Sequence, residues 1–207
     1  MPGTPDFGPG FGPDFGIGHN SQTQPDLAWR SYAWRQAKQQ AGRQPSVQMV
    51  RYHMARAGEL GMPYATYAAL HRIAGRDPAG LLFTPDGLGL RLKRRLELPR
   101  ALRQYLAPLR GCALLALAPC GEDSAAFLDE LRHETALPFA AAGQMPADTA
   151  PWHAKAQAVR AALAPQRLPG AAVVLIGTRP QDLAMMTAAG LAGFMDHASF
   201  FGPAAAA

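Results

Sequence analysis

The chain has 207 residues, 48% of them hydrophobic, and a formal charge of +5. That length allows one ordinary domain plus an appendage, with enough apolar content to bury a core. No apolar run reaches the ~18–20 residues of a membrane helix, and no charged stretch followed by an apolar one opens the chain, so a cytoplasmic protein without a membrane partner is expected.

The charge is segregated along the chain. Residues 1–26 carry three Asp and no base, residues 27–110 carry 15 Lys and Arg against 4 acids, and residues 111–207 carry 5 against 8. A basic half of this kind suits a nucleic-acid or acidic partner, or simply solubilises exposed helices. Cys112 and Cys120 flank an apolar run. Extended chain separates them by more than ~20 Å, beyond disulfide reach, so two buried, reduced thiols are expected.

Residues 1–25 repeat Phe-Gly with Pro and Asp and show no helical or alternating pattern, which predicts a disordered tail. Residues 26–41, with Asp26 as N-cap and Leu27, Trp29, Tyr32, Trp34 and Ala37 spaced along one stretch, predict a helix. A second follows from Val47, Val50, Met54, Ala57 and Leu60 until Gly61, and a third runs from Tyr64 until Gly75. Residues 26–78 therefore read as a basic helical subdomain. It is expected to dock on the rest of the chain, or on a partner, through Trp29, Trp34 and Tyr52.

Residues 57–72 resemble a helix-turn-helix, with Gly61 at the turn and Tyr67 and Leu70 facing inward. In that geometry Tyr64, Ala65 and Thr66 face the major groove.

From residue 79 the pattern alternates between strand and helix. Residues 80–83 form a short apolar strand, and Leu88, Leu90 and Leu92 alternate as a hairpin arm. A helix is predicted over 99–109, a strand over 112–118, a helix over 124–133 with Phe127, Leu128 and Leu131 inward, a strand over 137–141 and a helix over 152–163. The run 172–176 is uninterruptedly apolar, as in a strand covered on both faces, and Asp182 is read as the N-cap of a helix over 183–189. This order predicts an α/β fold with a doubly wound, mainly parallel sheet, a Rossmannoid domain over 79–203. Ligands in such sheets sit at the carboxyl ends of the strands, which singles out Thr178, Arg179 and Asp182.

Four segments carry a resemblance: LLFTPDGLG at the first strand, LALAPCGED at the second, WHAKAQAVRAAL on a helix and VLIGTRPQD at the last strand. In order and spacing, residues 80–201 resemble the haloacid dehalogenase-like hydrolases. The resemblance implies a nucleophilic Asp at the first strand end, a hydroxyl at the second, a Lys before a helix, and magnesium-binding acids at the last. Here Thr84 stands at the nucleophile position, Ala118 at the hydroxyl position and Thr178 at a metal-ligand position. Asp86, Lys155 and Asp182 keep the family's residue types.

A Thr hydroxyl is neither ionised near neutrality nor a strong magnesium ligand, so the implied reaction is expected to be lost. The leading expectation is a non-catalytic binding or scaffold protein with a protein partner and no cofactor. Two alternatives stand beside it: a residual magnesium-dependent phosphatase in which Asp86 and Asp182 weakly hold the cation, and a DNA-binding regulator using Tyr64, Thr66 and Arg72. Capping by Asp182 and a solvated Lys155 are the plain structural readings of those residues. The six histidines show no metal-ligand spacing, and no nucleophile elbow, phosphate loop or dinucleotide fingerprint occurs.

Overall fold

The computed structural model describes residues 46–93 and 95–202, with the backbone alone at 91–93 and 95. The expected tail, the helix over 26–41 and its Trp29 and Trp34 lie outside the described residues. The chain divides into two compact units, 1–46 and 47–207, and the second is described here.

Helix α1, Val47–Leu60, stops at Gly61, whose φ of 70° suits glycine and where a Cβ would run into the Pro108 carbonyl. Helix α2, Tyr64–Ala74, is closed by Gly75 at φ 67°, whose N–H donates to the His71 carbonyl at 2.8 Å. Both helices bury one stripe. Ala57 and Leu60 of α1, Met62, and Tyr67 and Leu70 of α2 share a core with residues of the sheet. Tyr52 takes no part in that docking, because it is 63% exposed.

Strand β1, Gly80–Phe83, is fully buried and is followed by a 3-10 turn, Asp86–Leu88. The expected hairpin arm from Leu88 begins later: β2, Arg91–Lys93, pairs antiparallel with β3, Arg95–Glu97, while Leu88 and Leu90 are buried around the turn. Next come α3, Arg100–Leu106, β4, Ala113–Ala118, and α4, Ser124–Thr135. Helix α3 ends three residues before the 99–109 pattern does, although Leu109 is still buried. The next strand, β5, Phe139–Gln144, starts two residues beyond Leu137. The buried Thr135 hydroxyl accepts the Leu137 N–H at 3.2 Å and holds that residue in the turn.

The chain continues through α5, Trp152–Leu163, β6, Val173–Gly177, α6, Pro180–Ala189, β7, Gly193–Asp196, and α7, His197–Phe201. Strand β7 and helix α7 go beyond the sequence expectation. The five strands β5-β4-β1-β6-β7 form one all-parallel sheet.

Alternation along the strands divides the core into two layers. Leu81, Phe83, Leu114, Ala116, Val174 and Ile176 face the layer containing α1, α2, α3, α4 and α7. Leu82, Leu115, Leu117, Val173 and Leu175 face α5 and α6. The sheet is thus covered on both faces, which accounts for the near-continuous apolar runs of β1, β4 and β6.

Candidate functional site

The strand order reverses at β1: the chain moves outward through β4 and β5, then returns to β6 on the other side. The segments leaving the ends of β1 and β6 therefore diverge, and a crevice opens at the carboxyl ends of the strands. It is lined by Pro85, Asp86, Pro119, Cys120, Asp148 and Arg179, among others, and encloses about 390 Å3.

Thr84 directly follows β1 and is fully buried. Its Oγ1 accepts the Gly87 N–H at 3.0 Å and donates to Asp182 Oδ2 at 3.3 Å. Asp182 is fully buried too, yet its carboxylate is well satisfied, since the backbone N–H groups of Thr178 and Arg179 each donate to Oδ2 at 3.1 Å. The helix begins at Pro180 with Arg179 as N-cap. Asp182 is thus its third residue and not its cap: the carboxylate folds back over the helix start and ties it to β1. Two glycines make room. A Cβ at Gly177 would strike the Asp182 carboxylate, and one at Gly87 would strike the Ile176 carbonyl.

Arg179 closes the arrangement. Its Nε lies 3.0 Å from Asp86 Oδ2, Nη1 3.6 Å from Asp148 Oδ1, and Nη2 3.5 Å from Asp182 Oδ1. The Asp86 contact is an ion pair without the alignment of a hydrogen bond. One guanidinium is thus shared by three carboxylates, of which only that of Asp182 is buried.

The fold therefore brings Thr84, Asp86, Thr178, Arg179 and Asp182 together, and adds Asp148, which no sequence pattern singled out. Lys155 joins from α5 by donating Nζ to the backbone carbonyl of Asp148 at 2.9 Å, so it braces the loop that presents that carboxylate. Ala118 is buried at the end of β4, where its carbonyl accepts the Met145 N–H. Thr178 has an exposed side chain. Asp86 and Asp182 both face Arg179, and among the described residues no group of three or more His, Cys, Asp or Glu is arranged to hold a metal ion.

The cysteines differ from expectation. Burial pushes the Cys112 thiol up to about 12, which keeps it protonated, whereas Cys120 is exposed at the crevice. The position of Cys120 just after the Pro119 that ends the apolar run places it at a strand end and not within the core.

The residues singled out for nucleic-acid contact separate. Tyr64 is 36% exposed and Arg72 is exposed, but Thr66 is buried, with its hydroxyl 2.5 Å from that of Tyr105. Tyr64 and Arg72 remain at the surface of α2 and Thr66 does not. Among the described residues no helix is long and apolar enough to cross a membrane.

Compared with known proteins, the chain matches no family model, no curated protein and no solved structure.

Proposed function

We propose that this chain is a haloacid dehalogenase-like protein that does not catalyse phosphoryl transfer and serves as a binding or scaffold protein for a protein partner. One observation carries the reading. The hydroxyl at the nucleophile position, that of Thr84, is fully buried and already bonded on both sides, to Gly87 and to Asp182. A group in that state neither reaches a substrate phosphorus nor supplies the charge that displacement needs. The carboxylates beside it are engaged with Arg179, an internal cation that occupies their charge.

The test is turnover of a generic phosphomonoester by untagged protein with magnesium. The reading expects a rate at the level of the blank, unchanged by Asp86→Asn. Magnesium-dependent turnover that Asp86→Asn abolishes would overturn it and establish a residual phosphatase.

A further inference from the structure

We propose that His53 and His71 form a two-imidazole site for a late first-row dication such as copper or zinc, completed by water. His53 comes from α1 and His71 from α2, the two helices joined by the tight turn at Gly61. Their ring centroids lie 4.7 Å apart with the planes at 42°. Tyr67 packs against both, with centroids 5.6 Å from His53 and 5.7 Å from His71, and forms the inner wall of the pair. Both histidines are partly exposed, so an ion has an entry path.

The ring nitrogens give the pair its chemistry. None of them has a hydrogen bond to a described residue, in contrast to His197, whose Nδ1 is 2.8 Å from the Gly87 carbonyl. Neutral imidazole is a ligand for copper and zinc at about 2.0–2.1 Å. Two rings whose centroids lie 4.7 Å apart are close enough to share one ion between them. Spacing in sequence hides the pair, because 18 residues and a helix reversal separate the two rings.

Arg56 bridges Glu59 and Asp77. Asp77 also accepts the Tyr67 hydroxyl at 2.6 Å and acts electrostatically on His71. Arg51, two residues before His53, and Arg72, directly after His71, are both exposed, so the imidazoles and not the surrounding charge must hold the ion. With two protein ligands the site should follow the general order in which copper binds more tightly than zinc.

The experiment uses untagged full-length protein carrying Cys120→Ser, which removes the exposed thiol as a competing ligand. Calorimetric titration with divalent copper should show one ion per chain, and His53→Ala and His71→Ala should each weaken binding about tenfold or more, since loss of even an outer partner of a metal ligand has that effect. In the protein with both histidines intact, copper should protect His53 and His71 from diethylpyrocarbonate while the exposed His133 and His153 remain reactive. This second readout holds whether or not the variants fold. Absence of binding, binding unchanged in both variants, or protection at other histidines alone would overturn the proposal.

Discussion

The Thr84 hydroxyl donates to the Asp182 carboxylate at 3.3 Å across 98 residues of sequence, and both side chains are fully buried. The pair joins the end of β1 to the start of α6, the two elements that bound the crevice. Its partners exhaust it: Gly87 on the Thr84 side, and the Thr178 and Arg179 backbone on the Asp182 side.

Asp182→Ala should therefore destabilise the fold strongly. The change leaves the buried Thr84 hydroxyl and two part-buried backbone N–H groups without their acceptor, at about 1–3 kcal/mol for a buried group and less where water reaches. Asp182→Asn retains an acceptor oxygen and should be milder. Urea unfolding near neutral pH measures both, and an Asp182→Ala variant as stable as the parent would show that the carboxylate is not what joins these elements.

How much of this was legible in sequence depended on what fixes each element. Helices α1, α2 and α5 were readable to the residue because Gly61, Gly75 and Pro151 punctuate them and the apolar spacing is helical. Strand β7 has only four residues, Gly193–Asp196, with Gly193 and Met195 buried and Phe194 partly so. Four residues after a glycine are too few to show alternation, and only pairing with β6 defines them. Leu88 and Leu90 did show alternation, but the turn set by Pro85, Asp86 and Gly87 placed Leu88 in a 3-10 turn and left Leu90 in the coil just beyond it. At the site, the strand end pointed to Thr178, Arg179 and Asp182, and the resemblance added Thr84. Asp148 lies in a loop without periodicity, and only the fold sets its carboxylate 3.6 Å from Arg179.

The Tyr67 and Asp77 pair predicts a two-sided dependence of stability on pH. Burial, with the Asp77 carboxylate beside it, raises the Tyr67 hydroxyl above its ordinary 10.0, so its contribution is complete below pH 10 and is lost as pH rises through the folded value. Burial works against the charge on Asp77, but the Tyr67 hydroxyl and the Arg56 guanidinium outweigh it and hold the carboxyl below its ordinary 3.8. That contribution is complete above pH 4 and is lost as pH falls through the folded value. Tyr67→Phe should cost about 1.5–3 kcal/mol at neutral pH, as for a hydrogen bond to a charged group. It should also flatten the alkaline limb in denaturant unfolding across pH. An unaltered alkaline limb would assign that limb to other groups.

Strand β5 lies at an edge of the sheet, where unpaired backbone invites another chain. Two side chains cover part of it: Arg132 Nε donates to the Phe139 carbonyl at 2.8 Å, and Gln166 donates to the Ala140 carbonyl at 3.4 Å. Arg132→Ala combined with Gln166→Ala should raise the tendency to self-associate while leaving the fold intact. Light scattering against concentration, with circular dichroism as the control, measures this. A double variant that scatters like the parent would show that these contacts do not guard the edge.

The proposal of a hydrolase-like crevice without its chemistry rests on Thr84 and Thr178 standing where carboxylates are required, beside the fully buried Asp182. The most direct measurement is thermal unfolding with and without magnesium, for the parent chain and for Thr84→Asp combined with Thr178→Asp. New carboxylates beside Asp182 repel it unless a cation is shared, and a cation that binds only the folded state raises its stability. The account predicts a parent indifferent to magnesium and a double variant that unfolds at lower temperature without the ion and recovers when it is added. A parent stabilised by magnesium, or a folded double variant as indifferent as the parent, would contradict it.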